Sequence, residues 1–229
     1  MISKSILLLQ HNRDSYVEPF LNYTASRNIV SNRILITEKI ALGKFHNLKN
    51  SDGLVLVDQP KREKMFESTK SLIVNFFEKS KPILGLGNVS ELCFRALKID
   101  ANYGQRVFGW KPVFNLSNPL TRENAQEYPN KILILGNNFF SSDVDINTYF
   151  LKILGEKFPI FVRYRSLLLL NYACCLSNKH LKQKIKTFDY IPSAFKQTPE
   201  EIQFQCDELV ETQNRFTKRI WDDWYKQLL

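Results

Sequence analysis

The segment Lys81-Pro82-Ile83-Leu84-Gly85-Leu86-Gly87-Asn88-Val89-Ser90-Glu91-Leu92-Cys93-Phe94-Arg95-Ala96-Leu97 reads as a buried strand, a sharp turn and a helix. Strand–turn–helix geometry of this kind lifts a nucleophile above the edge of an α/β sheet. At the apex, where a thiol or hydroxyl would do the chemistry, stands Gly87. Ser90 lies in the same turn and is a nucleophile by type, but a helix N-cap is its expected role. Cys93 falls on the interior face of the helix and is expected in the core, since a free thiol behaves as a small hydrophobe. Three histidines, His11, His46 and His180, are the available bases. His11 ends an apolar run that would deliver it to the same sheet edge as the turn. A hydrolase-type constellation of His11, Ser90 and Glu91 is therefore the surviving catalytic alternative. Gly87-Asn88 at a helix N-terminus could also hold an anion through backbone amides, an attraction that Glu91 opposes.

The elements that must position these groups follow from hydrophobic periodicity. Ser5 to Gln10 is an apolar run of strand length, and Val17, Phe20, Leu21 and Ala25 then recur at helical spacing. Arg33 to Thr37 forms a second strand. Ser51-Asp52-Gly53 is a turn before Leu54-Val55-Leu56-Val57, a strand apolar on both faces, as a covered parallel sheet demands. Met65, Phe66, Leu72, Ile73, Phe76 and Phe77 mark one face of a helix within Lys61 to Lys79. Pro82 to Leu86 is the fourth strand, and Glu91 to Lys98 its helix. Strands alternating with helices predict an α/β fold: a doubly wound, mostly parallel sheet with flanking helices. The functional crevice of such a sheet lies beyond the C-terminal ends of its strands. His11, Asp58, Gln59, Gly87, Asn88, Ser90 and Glu91 would gather there. Further on, Val107-Phe108, Pro112 to Phe114, Lys131 to Gly136, Ile160 to Tyr164 and Leu167 to Cys175 are candidate strands. Thr198-Pro199-Glu200-Glu201 is a helix start, with an N-cap, Pro at the first helical position and an acid at the third. The helix it opens places Ile202, Leu209, Phe216, Ile220, Trp224 and Leu228 near one stripe, for the core or for a protein partner. Residues 1–190 form the α/β domain and 191–229 a C-terminal amphipathic helical extension packed on it.

A chain of 229 residues with 44% hydrophobic content can bury a full core, and 17 Phe, 9 Tyr and 3 Trp argue against disorder. Ile6 to Leu9 is cut off by Gln10-His11-Asn12-Arg13, which is no signal-peptide pattern. The longest apolar stretch, Leu167 to Leu176, contains Asn171 and falls short of the roughly 20 residues that a spanning helix needs. The expectation is a soluble, cytoplasmic protein without membrane contact. Cys93, Cys174, Cys175 and Cys206 fit neither a zinc site nor a disulfide framework, and no metal or cofactor is expected. The net charge of +9 admits a nucleic acid or other polyanion as partner, with Lys179 to Lys186 the densest basic cluster. A solvated basic face is the favoured reading.

In order and spacing these pieces resemble a class I glutamine amidotransferase domain of the GMP synthase glutaminase type, over residues 5 to 176. Ile6 to His11 is similar to that group's opening strand, and Ser51 to Pro60 to the strand leading into its Gly-Gly-Pro turn. Pro82 to Gly85 and Leu92 to Leu97 bracket its nucleophile elbow. Phe108-Gly109-Trp110-Lys111-Pro112-Val113 resembles the Gly-Trp segment that follows. Gly136 to Phe139 sits where the family has His-Gly-Asp-Thr-Phe. Val162 to Tyr164 and Leu168 to Leu176 parallel the strand that ends in Phe-His-Pro-Glu. The resemblance implies a Cys–His–Glu glutaminase with backbone amides holding the oxyanion. The family elbow reads Gly-x-Cys-x-Gly-x-Gln; here it reads Gly85-Leu86-Gly87-Asn88-Val89-Ser90-Glu91. The triad positions are therefore Gly87, Cys174 and Leu176, and the oxyanion turn is Asp58-Gln59-Pro60. Glutaminase activity by this mechanism is expected to be absent. What the resemblance implies is a pseudoenzyme with a binding or regulatory role, holding a small molecule in the vestigial crevice or a protein partner on its C-terminal helix. If Asp58 and Glu91 both line that crevice, a cationic or amine-bearing ligand suits it better than a developing oxyanion.

Overall fold

A computed structural model describes residues 3–12, 16–36, 50–58, 63–87, 89–112, 129–140, 147–153, 156–174, 177, 179–181 and 197–229. The chain runs through β1 (Ser5–Gln10), α1 (Glu18–Ser26), β2 (Val30–Leu35), β3 (Gly53–Val57), α2 (Glu63–Glu78), β4 (Ile83–Leu86) and α3 (Ser90–Leu97). It continues through β5 (Asn102–Pro112), β6 (Lys131–Phe140), β7 (Asn147–Ile153), β8 (Glu156–Tyr164), β9 (Leu167–Leu170) and α4 (Pro199–Lys226). Seven strands form one sheet in the order β2-β1-β3-β4-β9-β8-β7. β2 through β9 are parallel in that order, and β8 and β7 turn antiparallel at one side. β5 and β6 pair separately as an antiparallel ribbon. This is the mixed, mostly parallel α/β sheet that the sequence implies. Several bounds differ: β9 stops at Leu170 rather than Cys175, where the apolar run meets Asn171, while β6 runs on to Phe140 and β8 begins at Glu156. The second strand begins at Val30 rather than Arg33, and Val107 to Pro112 belongs to one continuous strand. β7 was not anticipated, because Asn147-Thr148-Tyr149-Phe150-Leu151-Lys152-Ile153 carries no clean alternation.

The strand pattern follows from covering the sheet on both sides. In β1, Ile6 and Leu8 face a cluster that holds Phe20 of α1 with Phe216, Ile220, Trp221 and Trp224 of α4. Leu7 and Leu9 face the opposite cluster, built from Leu72, Ile73 and Phe76 of α2 and Leu92, Cys93 and Phe94 of α3. Each of these β1 side chains is 0% exposed, so no polar residue is tolerated on either face. α4 starts at a complete capping box, Thr198 accepting from the Glu201 amide and Glu201 from the Thr198 amide. Its whole apolar stripe is buried, from Ile202 through Leu209, Phe216, Ile220 and Trp224 to Leu228. The stripe expected to serve either core or partner is thus core, and it is not available to a protein partner. The boundary at residue 190 lies outside the described residues.

Two local arrangements hold the strand ends where the crevice lies. A Cβ built on Gly85 in β4 would fall on Cγ2 of Val89 and 2.7 Å from Cδ2 of Leu169. Val89, itself fully buried, fills the space over Gly85, so the elbow requires glycine there for packing. His11, 5% exposed, clasps three elements at the end of β1. Its Nδ1 lies 2.9 Å from the Asp58 carbonyl and 3.3 Å from that of Val57, while Nε2 lies 3.0 Å from Thr69 Oγ1 on α2. Two carbonyls can only accept, so Nδ1 carries the proton, and burial holds the ring pKa below its ordinary value against those two bonds.

Two outcomes follow. Gly85→Ala overpacks the elbow and lowers stability in urea unfolding by about 1–3 kcal/mol, and the loss shrinks when Val89→Ala is made in the same chain. His11 is neutral in both states above pH ~6.5. Below that value the unfolded chain takes up a proton that the folded chain resists. Stability therefore falls as pH drops towards the depressed folded pKa, by at most about 1.4 kcal/mol per pH unit. The difference in urea midpoints between the natural protein and His11→Gln, followed from pH 7.5 to 5, should show that slope; parallel curves would contradict it.

Candidate functional site

The parallel register brings the C-terminal ends of four strands side by side: Gln10 and His11 after β1, Val57 and Asp58 after β3, Leu86 and Gly87 after β4, and Leu170 and Asn171 after β9. At the β4–α3 turn Gly87 has φ +81°. A side chain held at such an angle costs about 1–3 kcal/mol, which nucleophile elbows tolerate and glycine avoids. The turn thus bends sharply at a residue that carries no side chain. The space has not been left empty. Among the described residues, the atom within 4 Å of a Cβ built on Gly87 is Asp58 Oδ1, at 3.4 Å. Asp58 is itself left-handed, at φ +60°, a conformation that Asp tolerates better than most residues. Its amide donates to the Leu86 carbonyl at 3.3 Å, which ties the β3 end to the β4 end.

Ser90 is not the cap that the sequence suggests. The N-cap of α3 is Val89, with no side-chain cap bond, and Ser90 occupies the first helical position. Its hydroxyl, 0% exposed, donates to Asn171 Oδ1 in a buried bond. His11 and Ser90 are accordingly drawn to different partners: both ring nitrogens of His11 are engaged by the β3 carbonyls and Thr69. Glu91 sits half-buried in the first turn of α3. The bonds of His11 and Ser90 therefore do not join them into a base–nucleophile pair. Cys93 is fully buried, and desolvation pushes its thiol pKa far up, which makes it inert. Cys174 is half-buried, and its Sγ donates to the Tyr172 carbonyl at 3.3 Å. Gln59, Asn88 and Leu176 lie outside the described residues.

The segment that carries Cys174 is fixed from behind by α4. Gln213, 0% exposed, donates through Nε2 to the Ala173 carbonyl at 2.6 Å and accepts from the Leu133 amide through Oε1 at 2.7 Å. Thr217 Oγ1 lies 3.1 Å from the Tyr172 hydroxyl. Sequence reasoning passed over Asn171, Thr69 and Gln213 as site-building residues. The one signal was for Asn171, a lone amide in an apolar strand run; polar residues on helix faces carry no comparable mark. Among the described residues no three His, Cys, Asp or Glu side chains gather as metal ligands, and no helix is long and apolar enough to cross a membrane.

No protein-family model and no curated protein sequence matches the chain. Solved structures do match. A glutamine amidotransferase from Methylobacillus flagellatus superposes with a TM-score of 0.79 at 12% identity, covering 100% of this chain and 96% of that one. A glutamine amidotransferase from Thermotoga maritima gives 0.63 at 15% identity, covering 100% and 97%. A putative GMP synthase subunit from Thermoplasma acidophilum gives 0.53 at 12%, covering 75% and 84%. At such identities the likeness is one of fold, and the fold of this chain is that of the class I glutamine amidotransferases.

Proposed function

We propose that this chain is a catalytically inactive glutamine-amidotransferase-like protein, a pseudoenzyme whose remaining role is binding or regulation at the crevice over β1, β3, β4 and β9. The observation that carries the reading is the elbow. Gly87 keeps the positive φ of a nucleophile elbow without supplying a nucleophile, and Asp58 Oδ1 stands 3.4 Å from where that side chain would begin. By the resemblance, Cys174 and Leu176 stand at the positions of the family's His and Glu. Loss of the nucleophile alone costs a triad enzyme on the order of 10⁶ in kcat. With the base replaced as well, by that resemblance the Cys–His–Glu acyl-enzyme route lacks both its nucleophile and its base. The alternative hydrolase of His11, Ser90 and Glu91 draws no support from bonds that turn Ser90 to Asn171 and His11 to Thr69. A polyanion-binding role would rest on Lys179 to Lys186, of which the described residues Lys179 and His180 are exposed; no further observation favours it. Burial of the α4 stripe leaves the crevice as the better-supported binding surface.

The test is ammonia release from glutamine by the purified natural protein beside a Gly87→Cys/Cys174→His double variant. The natural protein is expected to stay at the uncatalysed rate. Turnover above that rate overturns the proposal, whereas turnover confined to the double variant places the loss at those two positions.

A further inference from the structure

We infer that the outer face of α4 is a self-association surface, on which a second copy of this chain docks antiparallel about a twofold axis near Gln213. The inference goes beyond the crevice and does not depend on what the crevice does. α4 is described from end to end, and its inner stripe from Ile202 to Leu228 is buried. On the opposite side, three pairs of residues equidistant from Gln213 have opposite charge: Glu211 with Arg215, Glu208 with Lys218, and Glu200 with Lys226. All six are exposed. Successive members lie three, four or eight residues apart, which keeps them on one side of a helix. Positions equidistant from a midpoint are those that meet when a helix lies antiparallel on its own copy. The acids all precede Gln213 and the bases all follow it, so each of these meetings joins opposite charges. Twofold symmetry makes every one of them occur twice. Asp207 and Arg219 obey the same relation, but each is already engaged within the chain, and the pairing does not depend on them. Two ordinary causes account for part of the pattern. The helix dipole favours acids in the first turn and bases in the last, which covers Glu200 and Lys226; Asp223 also holds Lys226 at 2.9 Å. Glu211 and Arg215 lie 3.7 Å apart in an exposed pair within one turn, a contact worth little in water. Neither cause covers Glu208 and Lys218, which stand about 15 Å apart along the axis and cannot meet within one copy. Phe204 supplies an independent observation. It is 88% exposed, more than any other large hydrophobic residue among those described. Its counterpart across Gln213 is Asp222, which Arg27 holds at 2.6 Å while the Arg27 guanidinium lies 5.5 Å over the Tyr225 ring. Antiparallel docking therefore sets Phe204 of each copy against the flat Arg27–Tyr225 arrangement of the other, a surface suited to an aromatic ring.

One helix per copy buries less than the about 1,200 Å² of a standard interface, so the dimer is weak and sensitive to salt. Sedimentation velocity of the full natural chain, from about 1 μM to 1 mM, is compared at about 20 mM and 500 mM salt. A reversible dimer favoured at low salt is expected. Glu208→Lys alone, and Lys218→Glu alone, turns two attractive contacts into two repulsive ones and should raise the low-salt Kd about tenfold. Glu208→Lys/Lys218→Glu restores opposite charges at the same positions and should bring the Kd back to within about threefold of the natural protein. Phe204→Ser weakens the dimer at both salt concentrations. All three sites are exposed, so helicity by circular dichroism should not change in any variant. A chain that stays monomeric throughout overturns the inference and leaves this face to a different protein. A dimer indifferent to the single reversals, or a double variant no tighter than the singles, overturns it as well.

Discussion

A parallel sheet has no face to spare for water. The parallel strands β1, β2, β3 and β4 are joined by crossovers that must pass over one side of the sheet, β9 enters by a hairpin from β8, and the apolar runs of β1, β3, β4 and β9 allow no exposed side chain. Both sides are therefore roofed, by α1 and α4 on one and by α2 and α3 on the other. From that constraint comes the common direction of the strand ends, and from the common direction comes the crevice. The left-handed turn at Asp58, the bend at Gly87 and the clasp at His11 are local solutions to ending buried strands at the same edge.

At the strand ends the described polar side chains are bonded to other parts of the chain. Ser90 is spent on Asn171, His11 on Thr69 and two carbonyls, and Cys174 on the Tyr172 carbonyl. Each of these bonds satisfies a buried or half-buried group that would otherwise be costly to leave unpaired. A reactive site tolerates the opposite state, with polar atoms held incompletely satisfied until substrate arrives. The β4–α3 turn thus combines a glycine at positive φ with hydrogen bonds made within the protein.

Much of the sheet was legible because periodicity and burial are properties of sequence windows. Ile6 to Leu9, Leu54 to Val57 and Ile83 to Leu86 are apolar without interruption, and the Thr198 capping box announced α4 to the residue. What remained hidden depends on contacts between distant residues. Ser90 and Asn171 are 81 positions apart, and Gln213 meets Leu133 across 80. Ser90 had the composition of an N-cap, yet a buried amide from another strand outcompeted the helix terminus for its hydroxyl. Val89 offers a similar lesson: only the packed structure shows that its side chain and the missing one of Gly85 are a single unit.

The order in which the chain is made gives the roof of the sheet a further meaning. β1 and α1 emerge early, but the aromatic side chains that cover them, Phe216, Trp221 and Trp224, come with Ile220 at the far end of the chain. Gly53, at the start of β3, leaves room for Trp224 and Leu228, the latter's Cδ2 2.7 Å from where a Cβ would stand. Until α4 arrives, the side that it shares with α1 is only partly covered, while the side built from the nearer helices α2 and α3 can close. Closing so long a loop is slow compared with local pairing. Apolar surface left uncovered in this way promotes association between chains, so the late closure of α4 completes the cover of the sheet.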